Sequence, residues 1–361
     1  MLKRMAANTT SDGAAAAAAA AATGGGEGGG GVLDGGRAWA AGGGTTVPTE
    51  CQHSLDAHSS EANDVAYAPS GAYLATGAAD GTVRLWEAGT GRVRGTLRVG
   101  HGATSGGTPA IMAVDCAGDR VAAGCNDRTF HVWNARTQRL AHAVPAHAAS
   151  AKLYALKLVS GGATVVTGGS DRAIKRWDLG STSCKCVATL RAPSACLALA
   201  ESGHGGADGQ LASGHQDGVL RLWDSRDPGR PNDVPDVHGG MAVTSVAFSP
   251  RDPVYCLSNG RDNALHVVDM RTLSVVTSLR HPSFRCASNW ARACWSPDGA
   301  MAAAGGLDGA VYVWDVSCEA FKATLQNAQK AAVSSVAWSP GAKGWQQLAC
   351  VDKGGQLCLW T

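Results

Sequence analysis

Seven times between Val47 and Thr361 the chain repeats one pattern: an apolar strand, a turn carrying Asp, and a second strand that normally closes on Trp. The Asp and closing residues pair as Asp80/Trp86, Asp127/Trp133, Asp171/Trp177, Asp217/Trp223, Asp262/Val268, Asp308/Trp314 and Asp352/Trp360. Six pairs share a separation of six positions; the last is eight, with "KGGQLCL" between. Closing positions recur every 44 to 47 residues, a period that fits units of four strands. In "YLATGAADGTVRLW" apolar residues alternate along both strands, and Asp80-Gly81 supplies the hairpin turn. A small sheet of this kind cannot cover its own apolar faces, so neighbouring sheets stack around a ring and cover them. The expected fold is all-β, a seven-bladed propeller.

The seventh unit is short. Each earlier closing residue is followed by another strand-like segment, but only Thr361 follows Trp360. The missing outer strand would leave an unpaired edge. Upstream of the first unit stands "VPTECQHSLDAH", whose Glu50–Leu55 segment stops before an Ala-His pair as outer strands do elsewhere. That segment is expected to pair with "GQLCLW" and close the ring. Residues 1–45 are Ala/Gly low complexity, too poor in apolar side chains to order themselves. They are expected to form a disordered arm, a tether or targeting signal at most, with residues 46–361 forming the propeller.

Composition narrows the function. A net charge of +2 and a pI near 8.0 give no support for a nucleic-acid partner. The longest apolar run, Ala14–Ala22, is far shorter than the ~20 residues of a membrane span. "MLKRMAANTT" is only faintly like a transit peptide, and "NTT" at Asn8 is a sequon without a signal peptide. Twelve cysteines are scattered without a Cys-x-x-Cys, the nearest pair being Cys184 and Cys186. Reduced, packed thiols of an intracellular protein are expected, with no zinc site and no cofactor.

His58, Thr76, Asp80 and Trp86, and again His147, Thr167, Asp171 and Trp177, have the residue types of a catalytic triad. A set that recurs in several blades is wrong for one active site. It suits a structural tetrad, a hydrogen-bond chain from Asp through His and hydroxyl to the indole N–H. Ala123 and Ala304 replace the hydroxyl in blades two and six, and Val268 replaces Trp in blade five. Those blades are expected to be held more by packing than by polar networks. No phosphate loop is present, and "GTGRVRG" lacks dinucleotide spacing. No catalytic residue is assigned.

The Asp turns and the loops leading into each blade share one face. Arg128, Arg172, Arg261 and Lys353 lie in the turns; Lys152, Arg285, Arg292 and Lys330 lie in the leading loops. Such a rim suits an acidic peptide or phosphorylated group, with Tyr154 and Trp290 as anchors. In blade four, "DSRDPGRPNDVPDVHGG" carries Pro228, Pro231 and Pro235, so its outer strand is expected to be loose and confined to an edge or loop.

The period and the Trp-Asp steps at 177/178, 223/224 and 314/315 identify WD40 repeats. More specifically, "HPSFRCASNWARACWSPDG", "NALHVVDMRTLSVV" and "VDKGGQLCLW" resemble the C-terminal WD40 domain of autophagy-related protein 16, through Phe284, Cys286, Trp290, Arg292 and Val351–Gly354. The resemblance runs from about Val47 to Thr361. It implies a non-enzymatic scaffold in autophagosome formation that docks receptors or membrane-associated partners. It also implies a cytoplasmic location with indirect recruitment to the phagophore or other membranes. In that family a helical N-terminal region holds the conjugate of autophagy-related proteins 12 and 5, and a coiled coil dimerises the chain. Residues 1–45 offer neither, so the expectation is a fragment of a longer gene product, a stand-alone propeller, or a propeller that meets the conjugate machinery through a separate helical subunit. Asn289, Gly180 and Gly218 depart from the side chains expected of the family.

Trp223, Asp224 and Arg226 form a Trp-Asp-x-Arg box, the handle for an alternative reading as substrate receptor of a cullin–RING ubiquitin ligase. A phosphoinositide-binding propeller is a further alternative, but "SFRCAS" lacks the Phe-Arg-Arg-Gly motif.

Overall fold

A computed structural model describes residues 44–361 except 101–106, 181–182, 203–208, 225–226, 328–329 and 342–345. The expected arm up to residue 43 lies outside the described residues.

Strands gather into seven four-stranded antiparallel sheets. Blade one runs in chain order through Ala62–Tyr67, Tyr73–Ala78, Thr82–Glu87 and Val93–Arg98, and blades two to six repeat that order. The first strands of successive blades touch in turn, and the first strand of blade seven touches that of blade one. The sheets therefore close a ring around a central channel.

The burial pattern follows from this stacking. Tyr73–Ala78 is buried at every position because it has a blade on each face. Outer strands such as Leu140–Pro145 alternate between exposed and half-buried residues. Between blades one and two, Val83 and Leu85 pack with Ile111, Val114 and Val121. Between blades seven and one, Leu357 and Leu359 pack with Leu74 and Trp86. A glycine three positions before the Asp recurs because the next blade's first strand presses on it. A Cβ at Gly77 would stand 2.5 Å from Val114 Cγ1, and one at Gly214 would stand 2.6 Å from Val243 Cγ1. Gly218 is fixed more tightly: its φ is +81°, and a Cβ would lie 2.6 Å from the Gly240 backbone. The longer polar side chain expected there has no room.

Blade seven is completed as its sequence requires. Val333–Trp338, Leu348–Asp352 and Gln356–Trp360 supply three strands, and Cys51–Asp56 supplies the outer one. The ladder pairs Cys51 with Trp360, Ser54 with Cys358 and Asp56 with Gln356, with a bulge between Cys51 and His53. The amides of Thr49 and Glu50 donate to the Thr361 carbonyl, and the Thr361 amide donates back to Glu50. Further upstream, Thr45 N donates to Asp298 Oδ2 at 3.2 Å and Thr46 N to Gln346 Oε1 at 3.0 Å.

In blade four the proline-bearing segment is a paired edge strand, Asp227–Val234. Leu220 faces Val234 and Leu222 faces Asn232; the register then slips, so that Asp224 faces Asp227. Pro231 falls on this outermost strand, where a missing amide donor is tolerated.

The seam yields the first prediction. A chain lacking residues 1–56 should lose its cooperative thermal transition or melt well below one lacking residues 1–43, and should aggregate through the exposed Gln356–Trp360 edge. Calorimetry and light scattering of the two truncations check this, and coincident melting would refute it.

Candidate functional site

Antiparallel pairing sets the face on which candidate residues gather. The start of each first strand lies opposite the end of the second, as with Ala62 and Ala78 or Val243 and Gly260. Leading loops and Asp turns therefore share one rim.

The two tetrads lie just beneath it. In blade one, the Trp86 indole N–H donates to Thr76 Oγ1 at 2.9 Å, and His58 Nε2 lies 2.7 Å from the same hydroxyl. His58 Nδ1 faces Asp80 Oδ2 at 3.2 Å, and Asp80 also accepts from the Thr82 hydroxyl at 2.6 Å. Blade three repeats the chain, with Trp177 to Thr167 at 3.1 Å, Thr167 to His147 at 3.0 Å and His147 to Asp171 at 2.9 Å. Thr76 and Thr167 are 0% exposed, so neither oxygen faces a space where a substrate could sit. The chain from indole to carboxylate ties each turn to its strands.

Two further networks escaped sequence reading. Blade four draws its histidine from the strand itself. Trp223 Nε1 donates to Ser213 Oγ at 2.7 Å, Ser213 meets His215 Nε2 at 2.8 Å, and His215 Nδ1 lies 3.2 Å from the Ser194 carbonyl. Arg221 meanwhile grips both oxygens of Asp217. The available signal was the spacing of ten from hydroxyl to Trp, shared by Thr76/Trp86, Thr167/Trp177 and Ser213/Trp223.

Blade five corrects an expectation. It lacks Trp at Val268, yet it relies on more than packing. His238 bridges Asp262 at 2.6 Å and Ser258 at 2.7 Å, and His266 bridges Asp262 at 3.1 Å and Ser278 at 2.8 Å. The polar chain persists because a second histidine takes hold of the same carboxylate. In blade six, by contrast, Phe284, Tyr312, Trp314 and Phe321 form an aromatic cluster. In blade two, His131 stacks on Trp133.

These buried rings carry a pH signature. Burial, reinforced by neighbouring Arg221, pushes His215 down from 6.5 to about 4. Burial also lowers His58, His147 and His238, each against the pull of its Asp. Once unfolded, these rings take up protons near pH 6.5, so between there and pH 4 the unfolded chain binds more protons than the folded one. The stability contributed by the neutral rings is complete above pH 6.5 and is lost as pH falls toward 4. Burial pushes Asp80 and Asp171 up, but their donors, first the Thr82 hydroxyl and the Ala148 amide, hold both below the ordinary 3.8. Their contribution is lost only at lower pH. His215→Gln should therefore flatten the fall in urea midpoint between pH 6.5 and 4; a slope equal to wild type would refute the assignment.

Inside the ring lies a cavity of about 210 Å³, lined among others by Asp64, Asp115, Lys157, Arg292 and Ser335. Here the position of Arg292 corrects the rim reading. Its guanidinium donates to the Thr244 and Leu197 carbonyls at 3.0 Å each and to the Tyr154 carbonyl at 3.1 Å. One side chain from the edge of blade six thus ties blades three, four and five. It is a spoke of the ring, unlike the exposed cations of the rim. Asp64 accepts from the Val114 amide at 2.9 Å and the Ser335 hydroxyl at 2.8 Å, and Lys157 pairs with Asp115 at 2.9 Å. Burial pushes Asp64 above the usual carboxylate value, with Arg292 and these donors pulling the other way. Arg292→Met should cost about 2 kcal/mol or more in urea unfolding, since charge-assisted bonds contribute about 1.5–3 kcal/mol each. An unchanged midpoint would refute the spoke.

Of the remaining rim residues, Lys152, Arg172, Arg261, Arg285 and Lys330 are exposed, while Arg128 and Lys353 are half-buried. Arg128 and Arg172 hold φ of 75° and 61°, at the turn position where blades one and six use glycine. Arg261 donates to the Cys286 carbonyl at 2.6 Å, and Arg285 to the Phe284 carbonyl at 2.7 Å. Tyr154 and Trp290, both half-buried, stack on each other at 6.1 Å rather than standing as separate anchors. Among the described residues, the large apolar side chains exposed at this end are Met241, 50% exposed, and Leu307, 54% exposed. Trp223 is buried on Ser213; Arg226, the last member of the proposed ligase box, lies outside the described residues.

Comparison with known proteins agrees with this architecture. Residues 49–87, 184–224 and 275–315 match the family model described as WD domain, G-beta repeat. The chain is 33% identical over 274 residues to Protein tipD of Dictyostelium discoideum, covering 75% of this chain and 42% of that protein. It is 33% identical over 319 residues to Autophagy-related protein 16 of Arabidopsis thaliana, covering 88% and 59%. Against Protein Atg16l2 of Mus musculus it is 33% identical over 315 residues, covering 87% and 47%. The chain spans about half the length of these curated relatives. None of the three is named as a ubiquitin-ligase receptor, and that reading gains no support.

Proposed function

Because the chain is a WD40-repeat protein whose propeller resembles those of the autophagy-related protein 16 family, we propose that it acts as a non-catalytic docking scaffold in autophagosome formation. The observation that carries this reading is the 33% identity to Autophagy-related protein 16 of Arabidopsis thaliana, extending over 88% of the chain. A role without turnover accords with the polar networks, in which the residues bonded to the histidine Nε2 atoms of blades one, three, four and five, Thr76, Thr167, Ser213 and Ser258, are wholly buried.

In this reading the docking face is the rim. Lys152, Arg172, Arg261, Arg285 and Lys330 offer exposed charge, and Met241 and Leu307 offer apolar contact within the same loops and turns. That combination fits an acidic peptide with apolar side chains between its carboxylates. The protein works in the cytoplasm and reaches the phagophore through its partners. In the same proposal it also contacts the machinery of the conjugate of autophagy-related proteins 12 and 5.

The test is affinity purification from starved cells, comparing wild type with Lys152→Glu/Arg172→Glu. Wild type should recover autophagy conjugation proteins, and the variant should recover several-fold less while melting at the same temperature. Failure of wild type to recover them would sink the autophagy role. Equal recovery by both proteins would sink the basic docking face alone.

A further inference from the structure

Blade five brings His238 to Asp262 and His266, which lie 24 residues and more further along the chain and four residues from each other. The ligand atoms of His238, Asp262 and His266 all fall within 4.8 Å of one another. The two oxygens of Asp262 each face one imidazole, His238 Nδ1 at 2.6 Å and His266 Nε2 at 3.1 Å. The ring centroids are 4.7 Å apart. Each ring's other nitrogen is held by a serine, Ser258 for His238 at 2.7 Å and Ser278 for His266 at 2.8 Å. Outer contacts of this kind fix the tautomer and orientation of metal-binding histidines.

Two substitutions combine in this blade, the second of them shared with blade two, where His131 follows Asp127 by four positions. In blades one and three the indole N–H donates to the hydroxyl, which then gives its own proton to histidine Nε2. Histidine Nδ1–H is thereby committed to Asp. Val268 removes the indole, so Ser258 is free to accept from His238 Nε2–H and leave the Nδ1 lone pair for a cation. The second change falls four positions after the Asp. Blades one, three and four carry Arg84, Lys175 and Arg221 there; blade five carries His266, exchanging a fixed positive charge for a ligand. The opposing group is Arg280, whose Nη2 lies 3.5 Å from Asp262 Oδ2. Its side chain is 60% exposed and can turn into solvent.

We propose that His238, Asp262 and His266 bind a divalent transition-metal ion of the zinc type, with the fourth position open on the Arg280 side. Two imidazoles and a carboxylate suit Zn²⁺ better than Mg²⁺ or Ca²⁺, which favour oxygen ligands. Donors around tetrahedral zinc lie about 3.3 Å apart at bond lengths of about 2.0–2.1 Å. The widest separation therefore closes by at most about 1.5 Å and the His238–Asp262 contact, 2.6 Å here, opens by about 0.7 Å, both within reach of side-chain rotation. Cysteine spacing could not have revealed this site, because no cysteine belongs to it and only the fold brings His238 to the other two.

The test is calorimetric titration of the full chain with ZnCl₂, together with visible absorption of its Co²⁺ complex. The controls are His266→Arg, Ser278→Ala and Arg280→Ala. His266→Arg recreates the arrangement of blade four, where Arg221 meets Asp217 at 2.8 Å, so it should fold. Wild type is expected to take up one equivalent with a tetrahedral cobalt spectrum. His266→Arg should abolish this, Ser278→Ala should weaken it about tenfold, and Arg280→Ala should tighten it. Absence of zinc binding by wild type would overturn the proposal, as would equal binding by folded His266→Arg.

Discussion

A backbone ladder between Cys51–Asp56 and Gln356–Trp360 turns seven sheets into one object. Elsewhere, neighbouring blades are joined by the chain, by apolar packing and by the polar contacts of the channel. At the seam, hydrogen bonds within a single sheet join the two ends of the propeller. Without them, blade seven would present an open edge and blade one an uncovered face. Every position on the rim depends on that closure, because the arrangement of the turns is fixed by the ring.

Charge is divided between the inside and the rim. In the channel it is spent on the fold itself: Arg292 reaches across three blades, Asp64 gathers donors from its own strand and two neighbours, and Lys157 pairs with Asp115. On the rim, Lys152 and Arg172 point to solvent beside turns already braced by buried histidine networks. A rigid frame holding exposed cations can recognise a partner without first ordering itself.

The repeat was legible in the sequence because propeller geometry imposes a length, a turn and a closing residue on every unit. The clasp was legible because Glu50–Leu55 stops before an Ala-His pair, as outer strands of other blades do. Arg292 was misread, since a basic residue ahead of a strand gives no sign of whether it turns outward or across a channel. The network of blade five was also hidden. Val268 signals a loss, while the compensating His266 lies on the same strand, four residues after Asp262, and Ser278 reaches His266 only through pairing with the next strand. Ser213 and His215 were missed because the histidine comes from an unexpected place, although the hydroxyl-to-indole spacing was present.

The meeting of Thr49 with Thr361 has a topological consequence. The ring has a seam only because the polypeptide must start somewhere, and nothing in the stacking of the blades favours this place over another. A short linker from Thr361 to Thr49 would convert the clasp into an ordinary hairpin sheet. New termini could then be opened in a surface loop elsewhere, giving a circularly permuted ring with the same rim and channel. Its weakest point would move with the cut.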